Sequence, residues 1–317
     1  MNTLEKIQLG DSGPGITRLG MGCWAIGGHG WGHVDDEDSV KAIQFSLDNG
    51  VNFFDTADVY GLGKSERMLS KALGDSKEKV VIASKGGVRW DTSGRTCKDI
   101  SPGYLRKAVE GSLKRLGLEC IPLYYIHWPD NKTPISDAVG TLGDLKQEGK
   151  IASIGVSNFT SVLLEEAISY ERIDAIQVQY NLVQNKNVLD LISICKKNNI
   201  KLVAWGALAD GLLTGKFTAD TKFNSDDHRS HNPELQGEKF LQNLKVIDRF
   251  RVISASRGVT LSQMALRWVL DSMDFSCALF GARTYNQVSE NLGANGWHLT
   301  SKELSAIENT ICLHNIK

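Results

Sequence analysis

The chain has 317 residues, long enough to bury a substantial core either as one large α/β barrel or as two ordinary domains. A hydrophobic share of 41% with a charged share of 23% fits a soluble globular protein rather than a disordered or membrane-embedded one. A formal net charge of -1 supplies no cationic excess for a polyanion, and no basic block interleaved with aromatic residues is present, so the composition argues against nucleic-acid binding.

The opening Met1-Asn2-Thr3-Leu4-Glu5-Lys6 lacks the apolar core of a signal peptide, and no apolar run reaches membrane-spanning length. Cys23, Cys97, Cys120, Cys195, Cys277 and Cys312 are scattered without metal-ligand or redox spacing. The expectation is a reduced, cytoplasmic protein, with disulfides between distant cysteines as the alternative.

From Ile7 to Thr17, the turn-forming Asp11-Ser12-Gly13-Pro14-Gly15 predicts a short hairpin that plugs whatever follows. Leu19 to Cys23 is the first predicted buried strand. Val40, Ile43 and Leu47 then share one face of a helix from Glu37 to Asn49, which Gly50 stops. Further strands are read at Asn52 to Asp55, Val80 to Ser84, Ile121 to His127, Ile151 to Val156, Ile173 to Val178, Ile200 to Ala204 and Cys277 to Phe280. Between the third and fourth lies a helix opened by Pro102, with Ser101 as candidate cap; it carries Leu105, Ala108, Val109, Ser112 and Leu116 on one face and ends at Gly117. Leu261, Ala265 and Trp268 mark a helix before the last strand. Eight strands alternating with helices predict a (β/α)₈ TIM barrel over residues 1–317 as a single domain, with a doubly wound sheet as the alternative. The polar stretch Phe217 to Gly237 reads as an extended loop, of a length that is commonly functional.

In such a barrel the carboxyl ends of the strands form the active-site face. Asp55, Tyr60, Lys85 and His127 all fall at or just beyond strand ends, so they converge despite their spacing. A lysine cation stabilises phenolate, an aspartate orients the lysine, and an imidazole aligns a carbonyl; together they make an acid/base unit. Taken singly, each has a structural explanation: Asp55 as a helix cap or partner of Lys85, Tyr60 packed with its hydroxyl satisfied, His127 in the core.

The run Leu19-Gly20-Met21-Gly22-Cys23-Trp24, then Phe54-Asp55-Thr56-Ala57-Asp58-Val59-Tyr60-Gly61 with Gly63-Lys64-Ser65-Glu66, resembles the opening of the aldo-keto reductase superfamily, in the bacterial-type branch related to potassium-channel beta subunits. Lys85, the His127 segment, Gly155-Val156-Ser157-Asn158-Phe159, Gln177, Leu212-Leu213-Thr214-Gly215-Lys216 and Gly281-Ala282-Arg283-Thr284 extend the resemblance over nearly the whole chain. It implies metal-free reduction of an aldehyde or ketone by a reduced nicotinamide cofactor, reversible to alcohol oxidation. Asp55, Tyr60, Lys85 and His127 match the family's catalytic tetrad, with Tyr60 as proton donor, Lys85 and Asp55 tuning it, and His127 aligning the carbonyl.

By the same resemblance, Ser157, Asn158 and Gln177 hold the nicotinamide carboxamide, and Trp205 takes the stacking position where many relatives carry tyrosine. Leu208, Gly211 and Lys216 approach the diphosphate, while Gly281, Arg283, Gln287 and Asn291 surround the adenosine and its ribose. Arg283 can grip a 2′-phosphate, which favours NADPH over NADH, although Gln287 replaces an arginine that many strict NADPH users carry. Without the resemblance, Trp205 reads as core, Ser157 and Asn158 as a helix cap, and Arg283 as a surface charge. Trp24, Trp31, Trp90 and Trp128 are the candidate substrate-pocket walls, and the polar mouth suits a hydroxylated carbonyl such as a sugar derivative. The loop Gly27-Gly28-His29-Gly30-Trp31-Gly32-His33 holds two histidines but no third ligand at metal spacing, so no metal is expected. Asp226-Asp227-His228-Arg229-Ser230-His231 reads equally as a solvated loop or as one that approaches the site. The partner expected is a small carbonyl or alcohol, the default state a monomer. The rival functions are a cofactor-binding sensor or regulatory subunit, and an isomerase or lyase without net redox change.

Overall fold

Short runs rich in β-branched and aromatic residues form the strands, and the amphipathic stretches between them wrap outside as helices. The computed structural model describes residues 3–11, 13–28, 30–32 and 34–313. Ser12 of the predicted turn, and His29 and His33 of the glycine-rich loop, lie outside them.

An antiparallel hairpin, β1 (Lys6–Gln8) and β2 (Gly15–Thr17), precedes the barrel. Then follow β3 (Leu19–Gly22), α1 (Asp36–Asp48), β4 (Phe53–Asp55), α2 (Lys64–Leu73) and β5 (Val81–Gly86). A second small hairpin, β6 (Val88–Trp90) and β7 (Thr96–Lys98), leads into α3 (Pro102–Leu116) and β8 (Leu123–Ile126). The repeat continues through α4 (Ile135–Gln147), β9 (Ile154–Ser157), α5 (Ser161–Tyr170), β10 (Ala175–Gln179), α6 (Leu189–Lys197) and β11 (Lys201–Trp205). After β11 come α7 (Gly237–Arg257), α8 (Leu261–Ser272), β12 (Ser276–Gly281), α9 (Tyr285–Leu292) and α10 (Ser301–Leu313).

Eight parallel strands close in the order β3-β4-β5-β8-β9-β10-β11-β12, and β12 pairs back onto β3 with Ala278 opposite Leu19. This is the predicted (β/α)₈ barrel, and the closed ring removes the doubly wound alternative. Inside it, Phe53, Val81, Leu123, Tyr125, Val203 and Leu279 pack with Leu9 and Ile16 of the N-terminal segment, so the hairpin plugs the bottom as read. Two glycines make room for the aromatic rings: a Cβ on Gly20 would stand 2.6 Å from Phe53, and one on Gly155 would overlap Tyr125. Asn52 fastens the plug by accepting from the Thr17 amide at 2.7 Å and donating to Gly15 O at 2.7 Å.

Several local readings shift. Ser101 does not cap α3; its hydroxyl donates to Asp99 Oδ1 at 2.6 Å, and Pro102 alone marks the helix start. The stretch from Phe217 to Gly237 contains two 3₁₀ turns, His228–His231 and Pro233–Leu235. No helix among the described residues is long and apolar enough to cross a membrane.

Candidate active site

The carboxyl ends of the strands surround a cleft of about 620 Å³. Asp55, the last residue of β4, and Lys85, near the end of β5, point into the barrel mouth beneath it. Both are nearly inaccessible, at 2% and 0% exposure, which makes their pairing obligatory. Lys85 Nζ donates to Asp55 Oδ1 at 2.5 Å, to Thr56 O at 2.8 Å and to the Tyr60 hydroxyl oxygen at 3.3 Å. Gln177 Nε2 donates to the other Asp55 oxygen at 2.7 Å. The ammonium's donors are thereby spent on one carboxylate, one carbonyl and one phenol, which fixes its position.

Tyr60 lies on the turn after β4, with its ring stacked near Trp24 at 6.1 Å and set edge-on to His127 at 5.6 Å. His127 follows β8, its amide donating to Gly86 O at 2.8 Å. Its Nδ1 is buried without a hydrogen-bond partner among the described residues. Burial, then the charges of Lys85 and Lys98, hold the imidazole well below its ordinary range, so it is neutral.

Burial raises the Tyr60 phenol, outweighing the opposing pull of Lys85. Removal from water is thus the larger effect, and it favours the protonated phenol. Burial likewise raises the Asp55 carboxyl against the pull of Lys85. For Lys85, burial favours the neutral amine but is outweighed by Asp55 and Tyr60, and the ammonium is retained.

The cleft is also lined by Ser157, Asn158, Gln177, Trp205, Leu208 and Gly211. Lys216, Gly281, Arg283, Gln287 and Asn291 complete its far end, so every residue assigned to cofactor from the resemblance faces the same space. Asn158 adopts a left-handed backbone at φ 59°, which asparagine tolerates better than most residues. Its amide group donates to His127 O at 3.1 Å and accepts from Trp205 Nε1 at 3.1 Å. The indole at position 205 is therefore locked to the segment that carries His127, a link that a tyrosine there would make with different geometry. Gln287 Oε1 accepts from the Arg283 amide at 2.8 Å, just ahead of α9.

Trp24, Trp31 and Trp128, expected as substrate-pocket walls, also line the cleft. Trp90 does not: it is paired with Thr96 across the small hairpin, and the wall there is made by Val88 and Thr96 instead. Sequence reasoning missed that hairpin, although Ser93-Gly94 is a turn signal.

It also missed Asp210, which lines the cleft, whereas Arg229, on the loop read as either solvated or approaching the site, does reach it. Arg229 is held by Asp227 at 2.5 Å and lies over the rings of Trp31 and Phe223 at 5.4 and 4.9 Å. Asp227 bridges to Trp31, and the His228 amide donates to Gly30 O at 2.8 Å, so the 217–237 loop docks on the glycine-rich loop and reaches the site. Among the described residues no group of three His, Cys, Asp or Glu side chains is placed to hold a metal.

A (β/α)₈ barrel with a buried Asp-Lys-Tyr cluster and a neutral imidazole at the head of a long cleft fits a nicotinamide-dependent oxidoreductase of carbonyls. The chain belongs to the aldo/keto reductase family, whose model matches residues 18–311. It is 34% identical over 315 residues to the aldo-keto reductase YhdN of Bacillus subtilis (strain 168), covering 97% of this chain and 95% of that one. It is 32% identical over 315 residues to the NADH-specific methylglyoxal reductase of Escherichia coli (strain K12), covering 95% and 96%. The structure of the glycerol dehydrogenase AKR11B4 from Gluconobacter oxydans superposes with a TM-score of 0.91 at 38% identity, covering 98% of this chain and 96% of that one.

Proposed function

We propose that this protein reduces a small hydroxylated aldehyde or ketone to the alcohol with NADPH, Tyr60 serving as general acid. The observation that carries the reading is the fully buried Lys85, which bridges Asp55 and the Tyr60 hydroxyl beside His127.

The residues present fit a nicotinamide dinucleotide. Gln177, its amide nitrogen committed to Asp55, keeps its carbonyl oxygen for a carboxamide; Ser157 and Asn158 stand beside it, and Trp205 offers an anchored ring face. Arg283 precedes α9, where a cation and a helix N-terminus together favour a phosphate. When bound, the cofactor supplies the hydride that adds to the carbonyl carbon.

The chain's own residues do the rest. Tyr60 donates its phenolic proton to the carbonyl oxygen as that oxygen gains charge. Lys85, pinned by Asp55, stabilises the phenolate left behind. The neutral His127 orients the carbonyl without competing as an acid. Trp24, Trp31 and Trp128 exclude water from the substrate end, while Thr96 offers a hydroxyl for a second oxygen of the substrate. Two of the relatives are named for small, oxygen-rich molecules, methylglyoxal and glycerol, which agrees with a hydroxylated carbonyl.

The decisive assay follows absorbance of the reduced nicotinamide with a panel of aldehydes, ketones and sugar-derived carbonyls. Carbonyl-dependent oxidation is expected; tight cofactor binding with no oxidation across the panel would overturn the reading in favour of a sensor. Arg283→Ala tests the cofactor choice. A charge-assisted contact contributes about 1.5–3 kcal/mol, so NADPH affinity should fall about 10- to 100-fold while NADH affinity barely moves. Fluorescence titration with both cofactors measures this, and equal losses would remove the 2′-phosphate contact.

A further inference from the structure

The loop from Phe217 to Gly237 brings more than Arg229 to the site. It also packs the His228 imidazole against two cleft-lining rings, with centroids 4.6 Å from Trp24 and 4.3 Å from Trp31. Trp24 and Trp31 meet edge to face at 5.1 Å, and Trp24 stacks near Tyr60 at 6.1 Å. Three separate segments, the residues after β3, the glycine-rich loop and the loop after β11, thus supply one ring cluster whose edge reaches Tyr60.

The nitrogens of His228 face two different segments. The Gly30 carbonyl, which can only accept, lies 2.8 Å from Nδ1, so Nδ1 carries a proton and donates. The His228 backbone amide donates to the same oxygen at 2.8 Å. Gly30 stands at φ 75°, a left-handed backbone that suits glycine. Nε2 lies 3.6 Å from Asp210 Oδ1, and Asn232 Nδ2 donates to the other Asp210 oxygen at 2.7 Å. Asp210 belongs to the 3₁₀ segment Ala209–Thr214 that follows β11.

The Trp31 indole nitrogen is buried without a hydrogen-bond partner among the described residues, so among them ring packing holds that side chain. The packing comes from Trp24, from His228 and from the Arg229 guanidinium at 5.4 Å. A histidine that merely anchored its loop would need the two bonds to Gly30. It would not need its ring against two tryptophans from distant parts of the chain.

We propose that His228 is a positioning residue for carbonyl binding: its ring, pinned to Gly30, holds Trp24 and Trp31, so the 217–237 loop completes the wall beside Tyr60. Placing the substrate against that wall rests on the reductase reading above; the ring cluster stands without it.

Steady-state kinetics with glyceraldehyde, a small hydroxylated aldehyde, test the role. His228→Ala should raise KM for the aldehyde about 10-fold, the worth of the lost ring contacts, with kcat and cofactor Kd each within about twofold of wild type. His228→Phe keeps a ring, and the backbone amide still satisfies Gly30 O, so KM should stay within about threefold of wild type. His228→Asn keeps a donor for Gly30 without a ring and should behave as the alanine variant. An alanine or asparagine variant with wild-type KM, or a phenylalanine variant as impaired as the alanine one, overturns the proposal. So does a rise in cofactor Kd that matches the rise in KM, which would make His228 an anchor of its loop alone.

Acrylamide quenching of tryptophan fluorescence reads the wall without turnover. His228→Ala should be quenched more strongly than wild type, and His228→Phe to the same extent as wild type. An alanine variant quenched no more than wild type overturns the positioning. Should wild type reduce no carbonyl, the reductase reading fails, while the quenching still decides whether His228 holds the two tryptophans.

Discussion

Tyr60→Phe is expected to lower kcat for carbonyl reduction by about 10²- to 10⁴-fold, the usual worth of a positioned general acid, while cofactor affinity stays close to wild type. The ring stays the same size, so its packing against Trp24 and His127 survives and only the hydroxyl at 3.3 Å from Lys85 Nζ is lost. A variant with undiminished turnover would remove Tyr60 from the mechanism. Lys85→Met should approach the same loss by a different route, since it leaves Asp55 buried with Gln177 as its remaining side-chain donor. The pH profile separates the acids. Tyr60 is raised from its ordinary value near 10 and His127 is held far below 6.5, so reduction should be flat between about pH 6 and about pH 9. A limb near pH ~6.5 that disappears with substitution of His127 would instead make the imidazole the proton donor.

The second large effect lies at the opposite end of the barrel. Glu5 accepts from Arg267 Nη1 at 2.5 Å and pairs with Arg18 at 3.1 Å. Arg267 is completely buried and also meets Asp271 at 2.8 Å. Arg18 in turn donates to Ser276 O at 3.0 Å, Met273 O at 2.7 Å and Leu270 O. Glu5→Gln would leave the Arg267 guanidinium with Asp271 as its only carboxylate and the Arg18 guanidinium with backbone carbonyls alone. Removing one partner of a buried pair costs about 3–5 kcal/mol; with Asp271 retained and Glu5 partly exposed, the lower end applies. For a chain of this length that is a fall in Tm on the order of 5 °C. The sign with pH follows from the Glu5 carboxyl, where burial raises it but the two arginines win and lower it. Its contribution is present above the unfolded value near about 4.3 and fades as pH falls through the folded one, so the Tm gap should close in acid. A gap that persists unchanged below about pH 3 would mean lost packing rather than lost charge.

What was legible in the sequence had a physical period or a strict position. Runs such as Ile200 to Ala204 and Ile173 to Val178 are buried on both faces, so they read as continuous apolar strands, and their number and alternation gave the barrel. Asp55, Lys85 and His127 were visible because an ionisable residue ending such a run has few structural excuses. The hairpin at Val88–Trp90 and Thr96–Lys98 was not visible: three-residue strands are too short to establish alternation, and the bulkiest side chain, Trp90, attracted the assignment that belongs to Val88 and Thr96. Arg229 was only half legible, its loop reading either as solvated or as approaching the site. Its charge is typical of a solvated loop, and only docking of that loop on Gly30 and Trp31 turns it inward.

The pairing of β12 with β3 joins the two ends of the chain, Ala278 against Leu19, while β12 also borders β11. Until residues 276–281 leave the ribosome, the nascent sheet has two open edges, and the ring-closing contact spans more than 250 residues of sequence. The order of synthesis therefore keeps the ring from closing before β12 is made: its first strand waits through most of translation for that neighbour.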